Sequence, residues 1–262
     1  MESKARNAKW TDPARRSKLM VGAALDTPLY KEVKRLMTET IRAGEWKPGG
    51  VIPAERELSE RFQVAVGTIR KAVDELVQEN ILIRQQGRGT FVAAHNRDRM
   101  MFHFFHIVKS DGTKVTPTVD MLSFRSAAAD GEESERLGIA RSAKIFRIRN
   151  CIILDGLPVI YDTLAIPQAL YPGLTAEQFR NRPNTIYHLY QTEFGITVVR
   201  SAERLRGALA DNESAQILQV KVGAPLLEIK RVALTFHEAP VEYRRSLVNT
   251  ADHQYFSDLS KA

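Results

Sequence analysis

Cysteine is almost absent: Cys151 is the only one in 262 residues. No disulfide framework or multi-cysteine zinc site can therefore form within the chain. Set in an apolar run, Cys151 reads as a small buried hydrophobe. Long hydrophobic runs are missing too. The longest near the N-terminus, residues 19–25, is too short to cross a bilayer and has no signal-peptide layout. A cytoplasmic location without a membrane partner is expected. The sequence also lacks a nucleophile elbow, a phosphate loop and a paired-carboxylate motif, so catalysis has no positive support and no cofactor is expected. His103 and His106 stand in His-Phe-Phe-His, where strand alternation sends them to opposite faces, so no metal site is expected there. There is no fixed-period repeat beyond a loose similarity between two hairpins.

What is present suits a two-core protein: 44% hydrophobic and 26% charged residues are ordinary for a globular chain of this length. The net charge is +7, and its placement is uneven. Residues 1–26 hold six Lys/Arg against three Asp/Glu, residues 27–93 eleven against nine, and the remainder twenty-one against nineteen. The basic excess is densest in the first segment, which is expected to be a disordered arm, either solvated or touching phosphates.

From Pro28 a helix is predicted on the spacing of Leu29, Val33, Leu36, Met37 and Ile41, ended by Gly44 and a turn at Lys47-Pro-Gly-Gly50. A second helix is predicted over 54–62, burying Leu58 and Phe62. A third carries Ile69, Ala72, Val73, Leu76 and Val77 at i, i+3, i+4, i+7 and i+8. A short hairpin turning at Gly87 and Gly89 follows. This order predicts a helix-turn-helix with a β wing over residues 27–93. A recognition helix buries one stripe and offers its N-terminal polar residues to base edges and phosphates. Gly67, Thr68, Arg70 and Lys71 fall at that exposed start, Arg56 begins the preceding helix, and Gly87 and Arg88 form the wing tip. Thr68 and Arg70 can donate to phosphate or guanine, and Arg88 can enter a minor groove.

The segment resembles the GntR family of bacterial regulators. The resemblance rests on Pro53-Ala-Glu-Arg-Glu-Leu58, Val64-Ala-Val-Gly-Thr-Ile-Arg70 and Gly87-Arg-Gly-Thr-Phe-Val92. By position it implies Arg56, Thr68, Arg70, Gly87 and Arg88 as DNA contacts. Two residues depart from the family pattern. Ala65 stands where a capping Ser is usual, and Val66 where an Arg reads a base, so an operator unlike the family consensus is expected.

Residues 94–99 read as a linker. Beyond it, residues 100–259 turn to strands: 144–154 and 158–166 flank Asp155-Gly156, and 226–236 and 240–248 flank His237-Glu-Ala239. Helices are predicted over 131–137, 185–194 and 212–218. Strands with few helices indicate an α+β chain of two domains, the second an antiparallel sheet with flanking helices. Four segments resemble the UTRA effector domain of the family's HutC-type branch: Leu154-Asp-Gly-Leu-Pro-Val159, Ala202-Glu-Arg-Leu-Arg-Gly-Ala208, Gly223-Ala-Pro-Leu-Leu-Glu-Ile-Lys-Arg231 and Ala239-Pro-Val-Glu-Tyr-Arg-Arg-Ser-Leu247. The resemblance implies a chorismate-lyase-like fold that binds a small molecule in a central pocket.

In sugar-phosphate-binding relatives two arginines precede the Asp-Gly turn, a Glu lies on the next strand and a Tyr on the last hairpin. Here Asn150, Ile152, Asp162 and Val248 occupy those positions. Arg147 and Arg149 are out of phase by one residue and should face the other side of the sheet. An effector less anionic than a sugar phosphate is therefore expected. Asn150, Asp162, Glu242 and Arg244 are its candidate polar contacts, and Tyr161 and Tyr243 a candidate aromatic wall. The whole reads as a homodimeric, effector-controlled regulator, a repressor of an inverted-repeat double-stranded operator. The alternatives are a constitutive DNA binder with a vestigial pocket and a second domain that retains lyase activity.

Overall fold

The computed structural model of the protein describes residues 28–95 and 104–258. The expected N-terminal arm, most of the linker and His103 lie outside the described residues. The chain divides into two compact units, one ending at Ala93 and the other beginning at Ala94.

In the first unit, helix α1 (Leu29–Arg42) buries Val33, Met37 and Ile41, one residue per turn on a single stripe. Leu29 opens the helix and stays half exposed, outside the stripe predicted for it. Helix α2 (Glu55–Phe62) buries Leu58 and Phe62. It ends at Gln63 in the left-handed region, which turns the chain sharply into α3 (Val66–Gln78). The Ser59 hydroxyl donates to the Val64 carbonyl at 2.6 Å and ties that turn down. Ile69, Ala72, Val73 and Leu76 bury the inner stripe of α3. Strands β1 (Leu82–Gln85) and β2 (Gly89–Val92) form the wing, closed where Gln85 pairs with Gly89. Gly89 has φ +112°, and a Cβ there would meet Val51 at 3.3 Å, so the wing base needs glycine twice over.

The second unit adds β3 (Ile107–Lys109), β4 (Thr118–Ala128), α4 (Gly131–Leu137), β5 (Lys144–Leu154) and β6 (Leu157–Pro167). It continues with α5 (Ala176–Arg180), α6 (Ile186–Phe194), β7 (Arg200–Leu209), α7 (Asn212–Leu218), β8 (Pro225–Leu234), β9 (Pro240–Asn249) and β10 (His253–Tyr255). Six strands make one antiparallel sheet in the order β4-β5-β6-β9-β8-β7, and β3 pairs with β10 separately. The order is a strand–helix–hairpin unit used twice, β4-α4-β5-β6 and β7-α7-β8-β9, with the last strands of both meeting at the centre. Each copy's helix opens on an aspartate cap, the Asp130 carboxylate accepting from Glu133 N–H and that of Asp211 from Ser214 N–H. This repeat is a feature of topology that the sequence shows only as two similar hairpins.

The Asp155-Gly156 turn has positive φ at both residues, as a two-residue hairpin requires. Central strands β5, β6, β8 and β9 are buried along most of their length, while edge strands β4 and β7 are largely exposed. One sheet face packs on α5 and α6 through Tyr171, Phe179, Tyr187 and Tyr190, with Ile148, Leu164 and Ile166 beneath. The opposite face packs on α4 through Leu137, Ile145 and Tyr243 and on α7 through Tyr161, Ala215 and Leu218.

Candidate DNA-binding surface and effector cavity

Two groups of candidate residues fall in the two units. On the first, Ala65 occupies the N-cap of α3 with extended geometry and no side-chain hydrogen bond. The opening turn thus keeps its amides without a side-chain acceptor. Gly67, Arg70 and Lys71 are exposed and Thr68 is half-buried beside Ile69, which is fully buried. Arg56, Gly87 and Arg88 are also exposed.

These cations are already oriented within the protein. Arg70 Nε donates to Glu55 at 3.0 Å, and Lys71 Nζ sits 4.1 Å above the Tyr30 ring. Arg88 lies 5.9 Å from the centre of Phe91. Arg84 of the wing, absent from the sequence reading, reaches Asp74 at 2.5 Å and Glu55 at 3.5 Å. Its alternating strand context gave no signal, because the partners lie on α2 and α3. Glu55 thus ties α3 and the wing to the start of α2.

In the second unit a cavity of about 400 Å³ opens on the sheet face that also carries α5 and α6. Its floor is a lateral row set by register: Asn150 opposite Asp162, and Asp162 opposite Ser246. Ile229 continues the row beside Ser246, and Arg231 stands opposite Arg244 in the next. Phe105, His106 and Tyr255 wall one side, and Arg180, Arg182, Asn184 and Thr185 another.

Buried charge is tightly paired here. Asp162 accepts Ser246 Oγ at 2.5 Å and Arg244 at 3.2 Å. Arg244 also donates to Glu242 at 3.0 Å, and Glu242 accepts the Tyr190 hydroxyl at 2.8 Å. Arg231 is held by Glu203 at 2.5 Å and by the Phe104 carbonyl. Burial pushes the Asp162 carboxyl above the ordinary carboxylate range, and Arg244 and Ser246 oppose this only in part. Burial disfavours charge on Arg244, but Glu242 and Asp162 outweigh it and raise its pKa. Burial likewise takes the Tyr187 phenol to about 12 and holds the His106 imidazole below its usual range.

Of the six candidate effector contacts, the structure brings Asn150, Asp162 and Arg244 into the cavity wall. It does not bring the other three. Tyr161 and Tyr243 stand one residue out of phase with Asp162 and Arg244, so strand alternation buries them against α7 and α4 on the opposite face. Glu242 shares the cavity's face but lies beneath it, fully buried and bound to Arg244 and Tyr190. Arg147 and Arg149 do face away, pairing with Glu133 of α4 and Glu213 of α7. Cations nevertheless reach the cavity from elsewhere: Arg180 from the end of α5, Arg182 from the loop before α6, and Arg231 from β8. Nothing in linear spacing links these to Asn150. Among the described residues, no cluster of three or more metal-ligating side chains occurs and no helix is long and apolar enough to cross a membrane.

A winged helix-turn-helix followed by an antiparallel sheet with a polar-floored cavity defines a class: DNA-binding regulators with a second, sensing domain. Residues 29–92 match "Bacterial regulatory proteins, gntR family" and residues 113–254 match the UTRA domain, so the chain belongs to the UTRA-containing branch of the gntR family. Among curated relatives, YurK of Bacillus subtilis, an uncharacterised HTH-type transcriptional regulator, is 27% identical over 88% of this chain and 95% of its own length. The transcriptional repressor NagR of the same organism is 28% identical over 84% and 90%. The solved ligand-binding domain of a protein assigned to the GntR-family regulators from Bordetella bronchiseptica superposes with a TM-score of 0.58 at 28% identity. That match covers 60% of this chain and 98% of that one.

Proposed function

We propose that this protein is an effector-responsive transcriptional repressor that binds an inverted-repeat operator as a homodimer. The observation that carries the reading is the pairing, in one chain, of an exposed α3 N-terminus with a cavity whose polar floor is buried. Two-fold symmetry would set one α3 in each half-site, with Thr68 and Arg70 at base edges and Arg56, Lys71 and Arg88 on the flanking backbone and minor groove. An effector in the cavity acts by its differential affinity for two dimer states, only one of which matches the half-site spacing. A lyase reading lacks support: among the described cavity-lining residues Asp162 is the one carboxylate, and it is committed to Arg244 and Ser246. The test has two arms. Selection of operators from random duplexes should yield an inverted repeat whose retention is lost in the Thr68→Ala/Arg70→Ala variant. Metabolite extract should then release that duplex; release by no extract would sink the effector half, and retention by the double variant the DNA half.

A further inference from the structure

The cavity's unpaired polar atoms specify what it takes. Arg182 is held in place: its guanidinium stacks 4.7 Å from the Phe179 ring centre and donates to the Phe179 carbonyl. Its Nε is buried with no hydrogen-bond partner, and among the described residues no carboxylate pairs with it. Asn150, only 3% exposed, likewise has a buried Oδ1 with no partner. A buried donor and a buried acceptor left open at one cavity are costly unless something fills them. The charge count agrees. Arg180, Arg182, Arg231 and Arg244 line the cavity, while Glu203 and Glu242 pair with Arg231 and Arg244, and Asp162 pairs with Arg244. Four guanidinium groups against three carboxylates leave a net charge of one over the whole cavity: Arg180 and Arg182 stand without a carboxylate on one side, and the Arg231/Arg244 side holds one carboxylate in excess.

We propose that the effector is a small monocarboxylate carrying an N–H or O–H donor, its carboxylate bound by Arg182 and Arg180 and its donor by Asn150 Oδ1. This rests on reading the cavity as the effector site. A guanidinium with a free edge matches a carboxylate. One excess charge balances a monoanion, whereas a phosphate dianion would leave a buried negative charge uncompensated. Burial pushes the Arg182 pKa down and Arg244 adds to it, while Tyr190 and Glu242 oppose the shift only in part.

The experiment uses the full chain and matched probe triads: amino- or hydroxy-carboxylates, the corresponding carboxamides and the corresponding phosphate monoesters. Saturation-transfer NMR reads binding, and fluorescence anisotropy of a labelled operator reads release. Carboxylates should bind best, with Arg182→Gln weakening them at least about tenfold, Arg182→Lys less, and Arg149→Gln on the opposite face not at all. Thermal midpoints of all variants check that they fold, and because Arg182→Lys keeps the cation, charge is separated from packing. Preference for carboxamides or phosphate esters, carboxylate binding unchanged in Arg182→Gln, or no binding by any triad overturns the carboxylate assignment. Operator release by metabolite extract distinguishes the cases: release with a non-carboxylate overturns this inference alone, and no release overturns the sensing function beneath it.

Discussion

Replacing Glu242 by leucine should destabilise the second unit far more than a surface carboxylate would. Glu242 is fully buried, bonded to Arg244 at 3.0 Å and to the Tyr190 hydroxyl at 2.8 Å. Without it, Arg244 keeps only Asp162, at 3.2 Å, and a buried phenol loses its acceptor. Removing one member of a buried ion pair typically costs about 3–5 kcal/mol, a large part of the ~5–15 kcal/mol that holds a domain folded. At roughly 2–4 °C per kcal/mol, the midpoint should fall by roughly 6–20 °C. Scanning calorimetry of the full chain reads this directly, and the transition of the DNA-binding unit serves as internal control. The double variant Glu242→Leu/Arg244→Met should recover most of the loss, because Asp162, already displaced above the ordinary carboxylate range, can then be neutral. A single variant within about 1 kcal/mol of the parent, or a double variant no better than the single, would refute the reasoning.

Three further outcomes are expected. Ala65→Ser restores an acceptor at the open N-cap of α3 and should stabilise the first unit by about 1 kcal/mol in urea unfolding, with tighter operator retention. Glu55→Gln frees Arg70 from an exposed pair worth ~0.2–1 kcal/mol and leaves Arg84 to Asp74, so non-operator duplex binding at low salt should tighten by up to about fivefold. Asp162 has a raised folded-state pKa, so the native state binds more protons there. Its contribution is whole below the ordinary value of 3.8 and lost as pH rises through the raised one. Asp162→Asn should flatten that decline in urea midpoints across mildly acidic pH, and an unchanged profile would contradict it.

Local chemistry was readable without coordinates because its causes are local. Periodicity placed the inner stripe of α3, Asp155-Gly156 placed the β5–β6 turn, and the missing hydroxyl at Ala65 foretold an N-cap without a side-chain bond. Strand alternation correctly turned Arg147 and Arg149 away from Asn150. The same parity puts Tyr161 and Tyr243 on the face away from the cavity, whatever their aromatic chemistry. Register and packing settled what spacing could not. Only the folded sheet lays Asn150, Asp162 and Ser246 side by side, and only the loop before α6 brings Arg182 to the same cavity. The sequence by itself determined the helices and wing of the first unit, the two central hairpins of the sheet and the alternation of faces along their strands, since these depend on neighbours a few residues away. The tertiary structure alone decided which cations meet in the cavity and which charges remain unpaired, since that depends on distances between segments far apart along the chain.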